Sequence, residues 1–388
     1  MLCSSVSVSC LLFVDDVILI ADSAEDLQRS LDVCFNFFCL NHLQISQIKS
    51  NIIIFNRSAK TPRRTWTFGP LVLEEVNFYK YLGYVISASL SCKNNLQHKR
   101  GLIEAALATC MAVASSEVLH HIKIDTLLQL YNTCIVQIIL YCTEMWSETS
   151  YEALEQLQYR CLKRILRIPS STPNPATIIE TGNLPIQVLV DRRQLLYYHK
   201  LKSTPSSLAG KMLAIQENAS GDLPHSWAHR IQGLLVKYGL IYQDDLIKER
   251  WKQIIRMPTY LYGNSLVFEQ AGRLSKMSKL LVSKNSIKRE QYISCLPLYK
   301  TTLIFKARCR MLNLKNNFRG SKVGLTCDLC KAALEDDDHI FNICPALEDI
   351  RTDLQITRNE LFRNDISTER MSIIADFLCQ VERMLRKL

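Results

Sequence analysis

Residues 11–21 read Leu-Leu-Phe-Val-Asp-Asp-Val-Ile-Leu-Ile-Ala. Two apolar, β-prone runs flank an acidic pair, a pattern that predicts a tight hairpin with Asp15 and Asp16 at its tip. Adjacent carboxylates between buried strands are costly unless a cation or another partner compensates them. Such a pair suits two-metal phosphoryl transfer, in which hard Mg2+ ions take oxygen ligands and neutralise charge on the attacking and leaving oxygens. An ordinary turn with two exposed Asp residues is the alternative, and the pair alone does not decide between them.

Working outward, Ser23 followed by Asp26 is a helix-start signature. Leu27, Leu31, Cys34, Phe35 and Phe38 then recur at helical spacing and predict a helix to about Asn41. Leu43 and Ile45 open an extended stretch, with a strand over 51–55, a basic turn over 60–64, and one β pair formed by 66–73 and 77–86. Hairpin, helix, strand and hairpin make an α+β pattern. Beyond residue 90 the periodicity is helical, over 95–119, 124–146, 151–168 and 188–202. Pro169, Pro173 and Pro175 mark a break, and polar stretches at 203–207 and 217–226 read as loops. Four segments follow: 1–90, a partial α+β domain; 91–202, helical; 203–299, a helical linker; and 300–388, a basic segment with a Cys/His cluster and a last helix.

Hydrophobic residues make up 48% and charged residues 22% of the 388, the balance of a folded globular chain rather than a disordered one. The formal net charge of +10 favours polyanion partners, although solubility alone is an equally good reason for it. The 15 Cys form no compact disulfide framework, and those in apolar stretches, such as Cys34, Cys39, Cys110 and Cys134, read as buried free thiols of a reducing compartment. The apolar N-terminus lacks a basic region and is interrupted by Asp15 and Asp16, which argues against a signal peptide. The run at 135–142 is too short to span a membrane. A nuclear or cytoplasmic protein is expected, not a secreted one.

The Phe13-Val14-Asp15-Asp16 box, backed by Val17-Ile18-Leu19, resembles the Tyr/Phe-x-Asp-Asp motif of the reverse transcriptases of non-LTR (LINE-type) retrotransposons. Leu43-Gln44-Ile45-Ser46-Gln47-Ile48-Lys49-Ser50 is similar to that family's next block, with Ser46 in place of the usual Asn. Phe78-Tyr79-Lys80-Tyr81-Leu82-Gly83 resembles its Tyr-Leu-Gly block. The order and spacing of the three carry the likeness. The resemblance implies a reverse-transcriptase palm and RNA-directed DNA synthesis with Mg2+ at Asp15 and Asp16. It puts Lys49 near the phosphates of the incoming nucleotide and Tyr81, Leu82 and Gly83 at the primer strand. The family carries a further catalytic Asp on an upstream strand, together with the fingers. This chain begins shortly before the hairpin, so the expectation is a truncated palm with an incomplete metal cage.

Looser likenesses to the family's thumb and post-thumb lie at 140–146, 157–166 and in Glu180-Thr181-Gly182-Asn183-Leu184-Pro185. Arg160, Lys163, Arg164 and Arg167 recur at i, i+3, i+4 and i+7 and predict one basic helical stripe. Like charges along one face repel, and a polyanion would relieve that cost. A solvated face is the plain alternative.

Cys327-x2-Cys330-x8-His339-x4-Cys344 has metal-ligand spacing. Three thiolates and an imidazole suit a closed, structural Zn2+ site. Its Cys-x-x-Cys…His…Cys-Pro order resembles the C-terminal zinc knuckle of LINE-type elements. Between Gln291 and Cys327 there is no acidic residue but seven basic ones: Lys300, Lys306, Arg308, Arg310, Lys315, Arg319 and Lys322. Phe305 and Phe318 interleave with them, a composition that suits single-stranded nucleic acid. Asp336-Asp337-Asp338 reads as a solvated acidic turn at a helix start.

The expected architecture is therefore a partial palm, a mostly α-helical remainder and a CCHC zinc knuckle. Two functions from different classes fit it. One is a reverse-transcriptase-like enzyme, catalytically incomplete as this chain. The other is a non-catalytic remnant that binds RNA and DNA through the basic stripe and the knuckle. A decayed copy with no stable partner is a third reading. No membrane partner is expected.

Overall fold

A computed structural model describes residues 7–57, 64–115, 123–146, 151–219, 225–317, 324–363 and 365–387. The chain is 62% helical, with a small N-terminal sheet region and a Cys/His group near the C-terminus. It divides into two compact units, neither of them a single consecutive stretch. One takes Met1–Arg100, Trp146–Glu148 and Leu201–Arg230, and the other takes Gly101–Met145, Thr149–Lys200 and Ile231–Leu388.

Among the described residues the first unit carries all the strands. β1 (Cys10–Phe13) and β2 (Asp16–Leu19) form an antiparallel hairpin in which Phe13 pairs with Asp16, leaving Val14 and Asp15 as the two-residue tip. α1 (Ala24–Leu40) starts as the sequence indicates, with the Ser23 hydroxyl accepting the Asp26 N–H at 3.1 Å. A second sheet has the order β3-β5-β4, from β3 (Asn51–Ile52), β4 (Trp66–Phe68) and β5 (Leu71–Glu75). The strand expected over 51–55 is thus only two residues long. The small core beneath α1 is Leu31, Ile52, Trp66, Phe68 and Leu73, with Leu27, Phe35 and Phe38 packed against it. Gln28 fastens α1 to the free edge of β4: its amide donates to Thr67 O at 2.8 Å and accepts from Thr67 N–H at 3.2 Å. Gly69 is required at the β4–β5 turn, where φ is +56° and an added Cβ would lie 2.2 Å from the Phe35 ring. β6 (Phe78–Tyr81) and β7 (Tyr84–Ser87) form the last hairpin. Leu82 (φ 46°) and Gly83 (φ 80°) turn it, both in the left-handed region that two-residue hairpins favour. The single β pair expected of 66–73 and 77–86 is instead two hairpins, β4 with β5 and β6 with β7.

Helices follow: α2 (Lys93–Ser115), α3 (Ile124–Leu130), α4 (Val136–Leu140), α5 (Glu152–Ile165), α6 (Asn174–Thr181), α7 (Ile186–Lys202), α8 (Leu208–Asn218), α9 (Trp227–Lys237) and α10 (Lys248–Gly272). The remainder are α11 (Ser278–Ser283), α12 (Gln291–Cys295), α13 (Leu298–Arg308), α14 (Glu348–Leu354) and α15 (Thr368–Arg386). A π-helical turn, Tyr131–Ile135, joins α3 to α4.

The run at 135–142 is part of a longer apolar stretch, Ile124–Met145, which is long and apolar enough to cross a membrane by length and composition. Ile124, Leu127, Leu128, Tyr131, Ile135 and Ile139 on it are buried, and α3 packs against α5 and α12, as a core helix does. Cysteine burial departs from expectation. Cys110 is buried, but Cys34 is half-buried and Cys39 and Cys134 are exposed.

Glu180 of the second unit is fully buried. Arg308 donates to it from Nε at 2.9 Å and from Nη2 at 3.1 Å, and the Tyr292 hydroxyl donates at 2.7 Å. Burial pushes the Glu180 carboxyl toward protonation. The charges of Arg308 and Lys284 and the hydrogen bonds outweigh burial and hold it below the usual carboxylate range. The segment 180–185 is a structural corner around this ion pair. Gly182 caps α6 at φ +69°, where a Cβ would lie 2.4 Å from Arg289 N.

Candidate metal centre and the predicted nucleic-acid residues

The Cys/His group is assembled by a short knuckle and a π-helical turn. Cys327 N–H donates to Ala333 O at 2.7 Å and Lys331 N–H donates to Cys327 O at 2.9 Å, closing the knuckle around Cys330. Lys331 has φ 56°, the reversal that such a turn needs. Buried Glu335 braces it, accepting Asp328 N–H at 3.0 Å and Lys315 N–H at 3.1 Å. The π-turn His339–Ile343 supplies the third ligand, and Cys344 follows it, with its N–H donating to His339 O at 2.7 Å. Pro345 then ends the turn, as the sequence indicates.

One ligand atom from each of Cys327, Cys330, His339 and Cys344 lies within 4.8 Å of the other three. Cys327 Sγ and Cys344 Sγ are 4.0 Å apart, and Cys330 Sγ is 3.3 Å from His339 Nε2. Cys327, His339 and Cys344 are buried and Cys330 is half-buried. Burial, reinforced by the neighbouring Cys327, pushes the Cys344 thiol up to about 12. Burial opposes ionisation at Cys330 too, but the N–H of Ala332 and thiol hydrogen bonds from Cys327 and Cys344 outweigh it, so Cys330 lies below the usual thiol range. Three ionised sulfurs this close repel one another, and a bound cation removes that cost. Burial also lowers the pKa of His339, which favours the neutral imidazole a metal requires. The group is thus able to hold a metal ion, and four protein ligands leave no open coordination position.

The acidic triplet beside it is not the solvated turn expected. Asp336 Oδ1 accepts the His339 N–H at 2.9 Å. Asp337 is 1% exposed, and burial raises its carboxyl to about 6 against the pull of Arg358. Asp338 accepts Lys279 Nζ at 2.7 Å, Arg358 Nη1 at 2.7 Å and Arg310 Nη2 at 3.3 Å. Sequence reading missed Lys279 and Arg358 because their partner lies 59 residues away in one case and is reached by a buried side chain in the other.

The acid-free basic segment is also used internally. Arg308 is buried on Glu180 and also donates to Leu361 O; Lys300 meets Asp376 at 2.7 Å; Lys315 meets Asp328 at 2.8 Å; Arg310 meets Asp338. Phe305 is fully buried, a core residue rather than a stacking platform. Lys306 is half-buried, and Phe318, Arg319 and Lys322 lie outside the described residues. On α5, Arg160 pairs with Glu104 at 2.9 Å and Lys163 donates to Ser170 O at 2.7 Å. Arg167 is not on the helix. The helix ends at Ile165, and Arg167 is the left-handed residue (φ 52°) of a Schellman turn closed by Ile168 N–H to Lys163 O at 3.1 Å. Arg164 and Arg167 are exposed.

In the first unit Asp15 and Asp16 are exposed at the hairpin tip. Val14, 91% exposed at φ 55°, is a β-branched residue in a strained conformation. Among the described residues the two carboxylates belong to no group of three or more candidate ligands, so the arrangement lends Mg2+ no support. Lys49 ends a 3-10 turn (Gln47–Lys49) and is exposed; Ser46, where the resemblance expects Asn, makes no capping hydrogen bond. The Tyr79 hydroxyl donates to Lys49 O at 2.6 Å and the Gln47 amide donates to Val72 O at 2.9 Å, so the turn is tied to β5 and β6. Tyr81 is half-buried, and Leu82 and Gly83 are exposed at the second hairpin tip. Comparison of the chain with family models, with curated proteins and with solved structures finds no match in any of the three.

Proposed function

We propose that this chain is a reverse-transcriptase-like protein of non-LTR retrotransposon origin that binds RNA and DNA and carries a structural zinc centre. The observation that carries the reading is the Cys/His group itself. Four ligands of the right types converge at the end of a chain whose N-terminal blocks resemble that family. Tetrahedral zinc with Zn–S near 2.3 Å and Zn–N near 2.0 Å has ligand–ligand edges of about 3.8 Å between sulfurs and about 3.5 Å between sulfur and nitrogen. The 4.0 Å and 3.3 Å separations fit those edges. The palm assignment has weaker support: two of its blocks fold as hairpins turning on Val14-Asp15 and Leu82-Gly83. On this reading Asp15 and Asp16 are the Mg2+ ligands of an RNA-directed DNA polymerase hairpin and Lys49 faces the nucleotide.

Primer extension on an RNA template with Mg2+ tests the enzymatic half. Incorporation that disappears in Asp15→Asn supports it. A chain that binds primed RNA without extending it selects the second reading, a non-catalytic remnant. The absence of a third candidate ligand beside Asp15 and Asp16 among the described residues favours that second reading. Elemental analysis tests the zinc half, with about one equivalent expected in the wild type and none in Cys344→Ser. Folded wild-type protein that takes up no metal would refute it.

A further inference from the structure

Asp338 stands immediately before the ligand His339, and its carboxylate is the hub of three cations. Lys279 comes from α11, Arg310 from the turn after α13, and Arg358 from the 3-10 segment Arg358–Phe362. Arg358 is 1% exposed, and its Nε and Nη2 have no hydrogen-bond partner; Nη2 lies 3.9 Å from Asp337 Oδ2. Buried guanidinium groups are costly unless a carboxylate is held against them. That carboxylate sits on a short turn. It is fastened at one end by Asp336 accepting the His339 N–H, and at the other by Cys344 donating to His339 O. Both ends are residues of the Cys/His group or bonded directly to one.

We propose that metal binding and the Asp338 cluster are thermodynamically linked, so that the centre acts as a clasp. The bound cation fixes the His339 turn. The fixed turn aims Asp338 at Lys279, Arg310 and Arg358, and so locks α11 and the segment Arg358–Phe362. The clasp rests on the metal reading above. Linkage is reciprocal, so loss of Asp338 weakens metal binding by the factor with which metal steadies the cluster. Groups that orient metal ligands typically contribute 10- to 100-fold to affinity.

The test is hydrogen exchange on the full chain with Zn2+ and after chelation in reducing buffer, together with Zn2+ affinity by competition with a chromophoric chelator. Chelation is expected to speed exchange at least tenfold in peptides covering 278–283 and 358–362. Asp338→Asn is expected to bind one Zn2+ about 10- to 100-fold more weakly and to exchange fast in those peptides even when loaded. Lys279→Gln, a change at a partly exposed position, is expected to shift both readouts in the same direction by less. Metal uptake with unchanged exchange overturns the clasp alone, as does an unchanged affinity in both variants. No metal uptake by the wild type overturns the zinc reading and the clasp with it. Should Asp338→Asn fail to fold, the chelation arm and Lys279→Gln still decide.

Discussion

The acidic hairpin and the Cys/His group invert one another. Asp15 and Asp16 belong to the most distinctive stretch of the sequence, yet they stand exposed on a two-stranded hairpin, with Leu12, Phe13 and Val14 around them also exposed. The Cys/His residues carry metal-ligand spacing, and their thiols and imidazole converge, are mostly buried, and are braced by Glu335 and Asp336. A linear motif records what chemistry its residues are suited to. Whether that chemistry is assembled depends on the groups around it: Glu335 and Asp336 brace the Cys/His group, whereas among the described residues Asp15 and Asp16 have no third candidate ligand beside them.

The sharpest way to break the contrast is to attack the buried ion pair of the second unit. Arg308→Ala leaves buried Glu180 with the Tyr292 hydroxyl and Lys284, 3.9 Å away, as its remaining partners and is expected to cost about 3–5 kcal/mol in urea unfolding. A loss below about 1 kcal/mol would mean that the pair is dispensable. The same pair gives a pH signature. Glu180 has a folded pKa below its unfolded value of 4.5, so its stabilisation is full above that pH and is lost as pH falls through the folded value. In Arg308→Ala that acid-limb contribution should shrink, because Lys284 and Tyr292 alone remain against burial, and unfolding curves at pH 7 and pH 4 would read the change.

The small core of the first unit comes next. Leu31, on the inner side of α1, is 5% exposed in a cluster with Ile52, Trp66, Phe68 and Leu73. Leu31→Ala is expected to cost about 3 kcal/mol and to speed exchange across α1 and β4. Unchanged exchange there would show that α1 is held by something other than this core.

Local structure was legible where short-range chemistry decides it. Ser23 and Asp26 announce α1, and Cys-x2-Cys announces a knuckle. What was illegible depends on residues far apart. Arg308 finds Glu180 across 128 positions and Lys300 finds Asp376 across 76, so an acid-free basic segment that looks free for nucleic acid has four of its seven cations, Lys300, Arg308, Arg310 and Lys315, held in ion pairs. Arg167 shows a subtler limit. Its spacing continues the helical stripe, but the helix stops two residues earlier and the residue takes the left-handed corner. Pro258 shows the reverse, sitting inside the 25-residue α10 without ending it.

A smaller effect on stability is expected on the outer side of α1. Val33, Phe37 and Leu40 recur at i, i+4 and i+7 and are 69%, 56% and 81% exposed. They form an exposed apolar stripe in the C-terminal half of α1, in addition to its core side. Phe37→Glu is expected to change stability by no more than about 0.5 kcal/mol while reducing light scattering in concentrated solution. Scattering equal to the wild type would show that the stripe does not drive association.

The smallest expected change in stability separates a solvated basic face from a phosphate-binding one. Arg164 and Arg167 are exposed, whereas Arg160 already pairs with Glu104 and Lys163 already caps a carbonyl. If the α5 terminus meets a nucleic-acid backbone, the first two carry the contact. Arg164→Ala should leave unfolding within about 0.5 kcal/mol of the wild type, because an exposed cation contributes little. The log–log salt dependence of binding to single-stranded RNA should flatten by about one counterion. Arg160→Ala, whose charge Glu104 already offsets, should flatten it less. Equal slopes in wild type and both variants would assign the stripe to solvent and to the α5 dipole, which basic residues in the last turn also stabilise.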